Sequence, residues 1–120
     1  MKGVYAVFFE IEEKTVEIGA LGEIEFDAGT YVYIGSAMNG VQKRLGRHYS
    51  KEKKKHWHID YFSLEASPIY SIVFALSSEF ECVLARTVGE ENKSVKDFGA
   101  SDCGCESHLY RISEKSILED

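Results

Sequence analysis

Residues 30–49 read TYVYIGSAMNGVQKRLGRHY, and the spacing of their apolar side chains changes midway. From Thr30 to Gly35 the period is two: Val32 and Ile34 share one face, while Tyr31, Tyr33 and Gly35 share the other, as in a strand. From about Asn39 the period lengthens. Val41, Leu45 and Tyr49 recur at helical spacing and make a stripe predicted to be buried. At about 100° per residue, Arg44 and His48 lie one turn apart on the edge of that stripe, pointing along the sheet surface. A strand that runs into such a helix predicts sheet and helix packed together, with polar chemistry at their junction.

The flanking sequence extends this outline. Gly3 to Ile11 (GVYAVFFEI) is nearly all apolar and suits a central strand buried on both faces. Glu12-Glu13-Lys14 is a polar break, after which Thr15 to Ile18 returns as a second strand. Asp27-Ala28-Gly29 is a turn into the strand at Thr30. Beyond the helix, a Lys-rich loop leads to a short helix over His56 to Leu64 that carries Trp57, Tyr61 and Phe62 inward. Pro68 opens a strand over Ile69 to Leu76, and Ser77-Ser78 cap a helix from about Glu79 to Val88. Phe80, Leu84 and Val88 form its expected buried stripe, with Glu81 beside the stripe and Glu79 on the far side. Gly89 to Gly104 reads as mostly irregular, and Ser107 to Ile112 as a last short strand. The sum is an α+β fold: a small mixed or antiparallel sheet flanked by helices.

With 120 residues, one proline and no linker-like stretch, the chain reads as one domain, its residues 113–120 a polar tail. A content of 44% hydrophobic and 12% aromatic residues supports a real core. No apolar run reaches the ~18 residues that span a bilayer. The start Met1-Lys2-Gly3-Val4 lacks a leader's long apolar region, so a cytoplasmic location is expected. Three cysteines, Cys82, Cys103 and Cys105, argue against a disulfide framework and for reduced thiols. The net charge of −6 discourages nucleic-acid binding on average. Its distribution does not: Lys43, Arg44, Arg47, Lys51, Lys53, Lys54 and Lys55, with His48, His56 and His58, crowd one window containing a single acid, Glu52.

Those residue types suit one chemistry. An arginine forks onto phosphate oxygens, a histidine gives or takes a proton, and a carboxylate such as Glu81 holds a cation. Hydrolysis of a phosphodiester needs an activated water, positive charge at the phosphoryl oxygens and a stabilised leaving group.

Gly3-Val4-Tyr5, then Tyr33-Ile34-Gly35-Ser36-Ala37, then Arg44 and His48, then Glu81 on a later helix, resembles the GIY-YIG nuclease superfamily. Its members include homing endonucleases and the nuclease domain of a repair protein. The chain is most similar to a prokaryotic branch known as domain of unknown function 123, through YVYIGSAM at 31–38, HWHIDY at 56–61 and FGASDCGCESHLY at 98–110. The resemblance implies a metal-dependent endonuclease that acts on nucleic acid, DNA favoured over RNA, in repair or processing. It implies that Tyr5 and Tyr33 line the site and one assists deprotonation of water, that Gly35 allows close backbone approach, and that Arg44 stabilises the transition state. His48 would position phosphate or share the proton transfer, and Glu81 would ligate one Mg²⁺ or Mn²⁺. Two departures stand out. The segment between Tyr5 and Tyr33 is long, implying an inserted strand or hairpin over Lys14 to Phe26. The family's late asparagine has no clear counterpart: Asn92 comes too early, leaving Ser101, Asp102, Ser107 or His108 as substitutes.

Candidate nucleic-acid contacts are Gly35, Ser36, Lys43, Arg47, Lys53, Lys54, Lys55, His56 and His58, against the plainer reading of Lys51–Lys55 as a solvated loop. His56, His58 and Asp60 cannot all share one helical face, so packing around Trp57 is preferred to a metal site there. Cys103, Cys105 and His108 suggest zinc, but the spacing departs from C-x₂-C and a fourth ligand is wanting, so zinc is disfavoured against packed thiols. Ser101, Asp102, Cys103, Cys105, Ser107 and His108 are read as a loop bordering the site. A non-cleaving nucleic-acid-binding module of the same fold is the first alternative; a zinc or thiol protein centred on Cys103, Cys105 and His108 is the second.

Overall fold

A computed structural model of the protein describes residues 3–37, 39–99 and 107–112. In chain order its strands and helices are β1 (Gly3–Ile11), β2 (Lys14–Glu17), β3 (Glu23–Phe26), β4 (Gly29–Ala37), α1 (Val41–Tyr49), α2 (His58–Glu65), β5 (Ser67–Phe74), α3 (Phe80–Gly89), β6 (Lys93–Ser94) and β7 (Leu109–Arg111). The apolar β1 is interior, as its composition predicts: the antiparallel sheet runs β5-β1-β4-β7-β6. The inserted segment forms the separate β2–β3 hairpin.

Strand alternation sorts the core into two layers. Tyr5, Val7, Phe9 and Ile11 project to one face, where Ile59 and Phe62 of α2 and Val41 of α1 cover them. Phe26 and Tyr31 close this layer around Phe62, their rings 5.0 and 5.5 Å from it. Val4 and Ala6 project to the other face with Val32 and Ile34, and α3 covers them through Ala85. The edge strand β5 leaves Ile69, Tyr70, Ile72 and Val73 exposed.

Four sequence expectations need correcting. On α1 the buried residues are Val41 and His48, while Tyr49 is exposed; the helix is rotated so that a histidine, hydrogen-bonded across the core, takes the inward place. Trp57 does not point inward. It precedes α2 and is 38% exposed, while Ile59, Asp60, Phe62 and Ser63 are buried. On α3 Phe80 is exposed and Ala85 is the buried residue, while Leu84 and Val88 of the expected stripe do pack, partly buried, against the second layer. A Cβ on Gly89 would stand 2.9 Å from the Tyr110 ring. Finally, no side chain caps α3; the Ser77 and Ser78 carbonyls accept from the Phe80 and Glu81 amides at 3.0 Å. No helix among the described residues is long and apolar enough to cross a membrane.

Candidate functional site

Ladder register brings the two signature triplets together. Tyr5 on β1 sits directly opposite Gly35 on β4. A Cβ at position 35 would lie 2.6 Å from the Tyr5 hydroxyl, so only glycine leaves room for that ring. The glycine that sequence reasoning assigned to close approach of nucleic acid thus makes space for a tyrosine of the neighbouring strand. Tyr5 then reaches the inward face of α1, where its hydroxyl lies 2.7 Å from His48 Nε2. Tyr33, two residues from Gly35 on the same face, packs edge-on against His48 at 5.5 Å.

The other half of the site comes from the opposite face. β7 pairs with β4 over Tyr31–Tyr33, and beyond Tyr33 the outer edge of β4 has no strand partner among the described residues. His108 holds the next step, its carbonyl accepting from the Ile34 amide at 2.9 Å. At this open edge Ser36 Oγ donates to Glu81 Oε1 at 2.5 Å, and His108 Nδ1 lies 2.7 Å from Glu81 Oε2. His108 Nδ1 is also 3.0 Å from the Ile34 carbonyl. Arg44 reaches toward the same edge, Nη1 donating to the Ser36 carbonyl at 3.4 Å. A cavity of about 350 Å³ collects Tyr5, Tyr33, Gly35, Ser36, Arg44, His48, Trp57, Glu81 and His108 along its walls. Another of about 350 Å³, beside the hairpin, is lined by Phe26, Tyr31 and Arg111 and gathers none of the candidate catalytic residues.

Electrostatics differ sharply across this cavity. Burial pushes both tyrosine hydroxyls well above their ordinary range; the Arg44 charge opposes this, more strongly at Tyr5. His48 is driven down to about 3, first by burial and then by the Lys53, Arg44 and Arg47 charges, so it is a neutral imidazole. Its Nδ1 is buried with no hydrogen-bond partner among the described residues. Glu81 goes the other way. Burial works against its ionisation, but hydrogen bonds from His108 and Ser36 and the nearby cations hold its pKa below the usual value. The site therefore sets a neutral proton acceptor and an ionised carboxylate around an arginine.

Five expected catalytic residues, Tyr5, Tyr33, Arg44, His48 and Glu81, meet here. Most of the expected nucleic-acid contacts do not join them. Arg47 is bound to buried Asp60 at 2.8 Å. Lys53 Nζ donates to the Arg47 carbonyl at 2.7 Å and to Ser63 Oγ at 2.5 Å, and Lys51 donates to the Ser63 and Ala66 carbonyls. Lys55 lies over the Tyr61 ring at 5.2 Å. His58 Nδ1 accepts from the Gly99 amide at 2.9 Å. Only Lys43 and Lys54 of that group are exposed without such an anchor among the described residues; the His56 ring stands edge-on to Trp57 at 5.0 Å. Ser36 is drawn to Glu81 instead. Ser107 Oγ accepts from the Leu109 amide at 3.0 Å, and Asn92 Nδ2 donates to the Val88 carbonyl. Ser101, Asp102, Cys103, Cys105 and the 113–120 tail lie outside the described residues. The expectation of reduced thiols fails at Cys82, which lines the cavity and is disulfide-bonded. Trp57 was expected to point inward and is instead a wall of the site, because a lone tryptophan at the start of a helix that carries Tyr61 and Phe62 looks like core.

The chain belongs to the family described as Domain of unknown function DUF123, whose model matches residues 4–120. No curated protein and no solved structure matches it.

Proposed function

We propose that this protein is a metal-dependent phosphodiesterase of the GIY-YIG type that cuts nucleic acid, with DNA favoured over RNA. The observation that carries the proposal is the gathering of Tyr5, His48, Arg44 and Glu81 into one cavity from β1, α1 and α3. A hard divalent cation fits the donor set. Glu81 is kept ionised and oriented by Ser36 and His108, and it would hold the ion as a lone carboxylate, since no group of three or more His, Cys, Asp or Glu that could hold a metal occurs among the described residues. A single carboxylate suits Mg²⁺ or Mn²⁺, which fill their remaining positions with water and substrate oxygens. When bound, the cation would neutralise charge at the phosphoryl oxygens.

The chain's own residues supply the rest. Arg44 binds the non-bridging phosphate oxygens and stabilises the charge that develops on them. Tyr5 and His48 move a proton. With tyrosine pushed upward, free tyrosinate is scarce, so transfer is concerted: the attacking water gives a proton to the Tyr5 oxygen as Tyr5 gives its own to His48 Nε2. The relay uses the tautomer carrying its proton on Nδ1. A phosphate entering the cavity offsets the lysine and arginine charges that hold His48 neutral, which makes it a better acceptor when substrate is present. The water oxygen bonds to phosphorus, the phosphorus–oxygen ester bond breaks, and solvent protonates the leaving alkoxide. Tyr33 walls the imidazole in place.

The test is a cleavage assay on labelled strands with Mg²⁺ or Mn²⁺. Arg44→Ala and Glu81→Ala should each lower the rate by about 10²-fold or more, comparable to removing one transition-state donor. Unchanged cleavage by both variants would sink the assignment.

A further inference from the structure

Trp57 lines the cavity, yet the chemistry above does not use it. It is also the chain's single tryptophan. Tryptophan is highly buried on average, whereas Trp57 remains 38% exposed at the cavity wall. Its position is nevertheless fixed. Asp60, fully buried, accepts the His56 and Trp57 amides on Oδ2 at 2.8 and 2.9 Å and Arg47 Nη2 on the same oxygen at 2.8 Å. Arg44 and Arg47, one turn apart on α1, lie 4.5 and 5.0 Å from the indole centroid. Both therefore approach from the α1 side, and the His56 ring stands edge-on beside it at 5.0 Å.

An exposed, immobilised aromatic next to a phosphate-binding arginine matches the chemistry of an unpaired nucleobase with its adjoining phosphate. Bases inside a duplex stack on one another and have no free face to offer; an unpaired base does. Because Arg44 touches the indole, a base stacked there belongs to a nucleotide next to the phosphate that Arg44 holds. We propose that Trp57 is a stacking platform for that base, and that the site selects single-stranded over double-stranded nucleic acid. The proposal rests on the phosphodiesterase reading for its phosphate and deepens it by naming the substrate class.

The fluorescence of Trp57 provides a direct readout. The 120-residue chain, in EDTA so that nothing is cut, is titrated with one short sequence as single-stranded DNA, single-stranded RNA, duplex DNA and an abasic single strand. At least one of the two base-bearing single strands should quench the fluorescence and bind about tenfold or more tighter than the duplex and the abasic strand. Labelled-strand anisotropy should show Trp57→Leu weakening single-strand binding by about tenfold to a hundredfold, the range expected for one stacked base, with Trp57→Phe restoring part of it. Abasic-strand binding should be the same in all three proteins, a result that misfolding of a variant would not give. Equal affinity for single strand and duplex, or single-strand binding untouched by Trp57→Leu, overturns the platform; metal-dependent cleavage that persists in that case leaves the phosphodiesterase reading standing. Absence of both binding and cleavage for every strand overturns the two together.

Discussion

His48 couples the chemistry of the site to folding, because its ring is 1% exposed and Nδ1 has no partner among the described residues. The unfolded chain protonates this histidine near pH 6.5, the folded chain only near about 3. Between those values the unfolded state holds more protons, so the stabilisation is complete above about pH 6.5 and is lost as pH falls toward 3. Burial is the main cause, and the loss over the whole window is on the order of a few kcal/mol. Glu81 and Asp60, both held below their ordinary values, contribute in the same sense but only at lower pH. Urea unfolding at several pH values between about 6.5 and 4.5 isolates the histidine. The midpoint should fall with pH in the native protein and fall much less in His48→Gln. Equal slopes would mean that His48 titrates normally in the folded state. His58, also lowered by burial, remains in both proteins and cancels in the comparison.

At the scale of elements, α2 depends on one carboxylate. Burial opposes the ionisation of Asp60, but hydrogen bonds from Arg47 and from the Trp57 and His56 amides outweigh it and keep the group charged. Asp60→Ala should cost about 2–3 kcal/mol, since it strips partners from two amides and from Arg47, which keeps some exposure and is partly rescued by water. Denaturant titration gives the loss, and a change in Trp57 emission should accompany it; stability within about 0.5 kcal/mol of native would refute the clamp. The same elements show what sequence could reveal. β1, β4 and the three helices were legible because apolar period and turn residues fix them, and the insertion between β1 and β4 was legible from its length beside the resemblance. The rotation of each helix was not. On α3 the stripe Phe80, Leu84, Val88 holds in part: Leu84 and Val88 pack against the core, but Phe80 is exposed and the small Ala85 takes the buried place. On α1 the inward choice of His48 over Tyr49 turns on a hydrogen bond to Tyr5, a residue 43 positions away in the chain. Arg44, His48 and Glu81 were legible as a set; the anchoring of Glu81 by His108 and the outward turn of Trp57 were not, since both need the sheet edge to be in place.

For the whole molecule, the basic window looks like a broad phosphate-binding face in sequence and is mostly internal scaffolding in three dimensions. Lys51, Lys53 and Arg47 hold the α1–α2 junction together through carbonyls, Ser63 and Asp60, and Lys55 covers Tyr61. That leaves Arg44, Lys43 and Lys54 as the cations of the window available to a ligand, in a chain whose net charge is −6. Counterion release makes the distinction measurable, because each phosphate neutralised on a single strand adds roughly −0.7 to the slope of log K against log salt. Three contacts imply a slope of about −2, whereas engagement of all seven Lys and Arg side chains would give about −5. Fluorescence titrations of single-stranded DNA in EDTA at a series of salt concentrations should return the shallower value. Lys43→Ala and Lys54→Ala should each reduce its magnitude by about 0.7, and Lys53→Ala should leave the slope alone while lowering stability. A steep slope that Lys53→Ala reduces would show that the junction opens to release its lysines when nucleic acid binds.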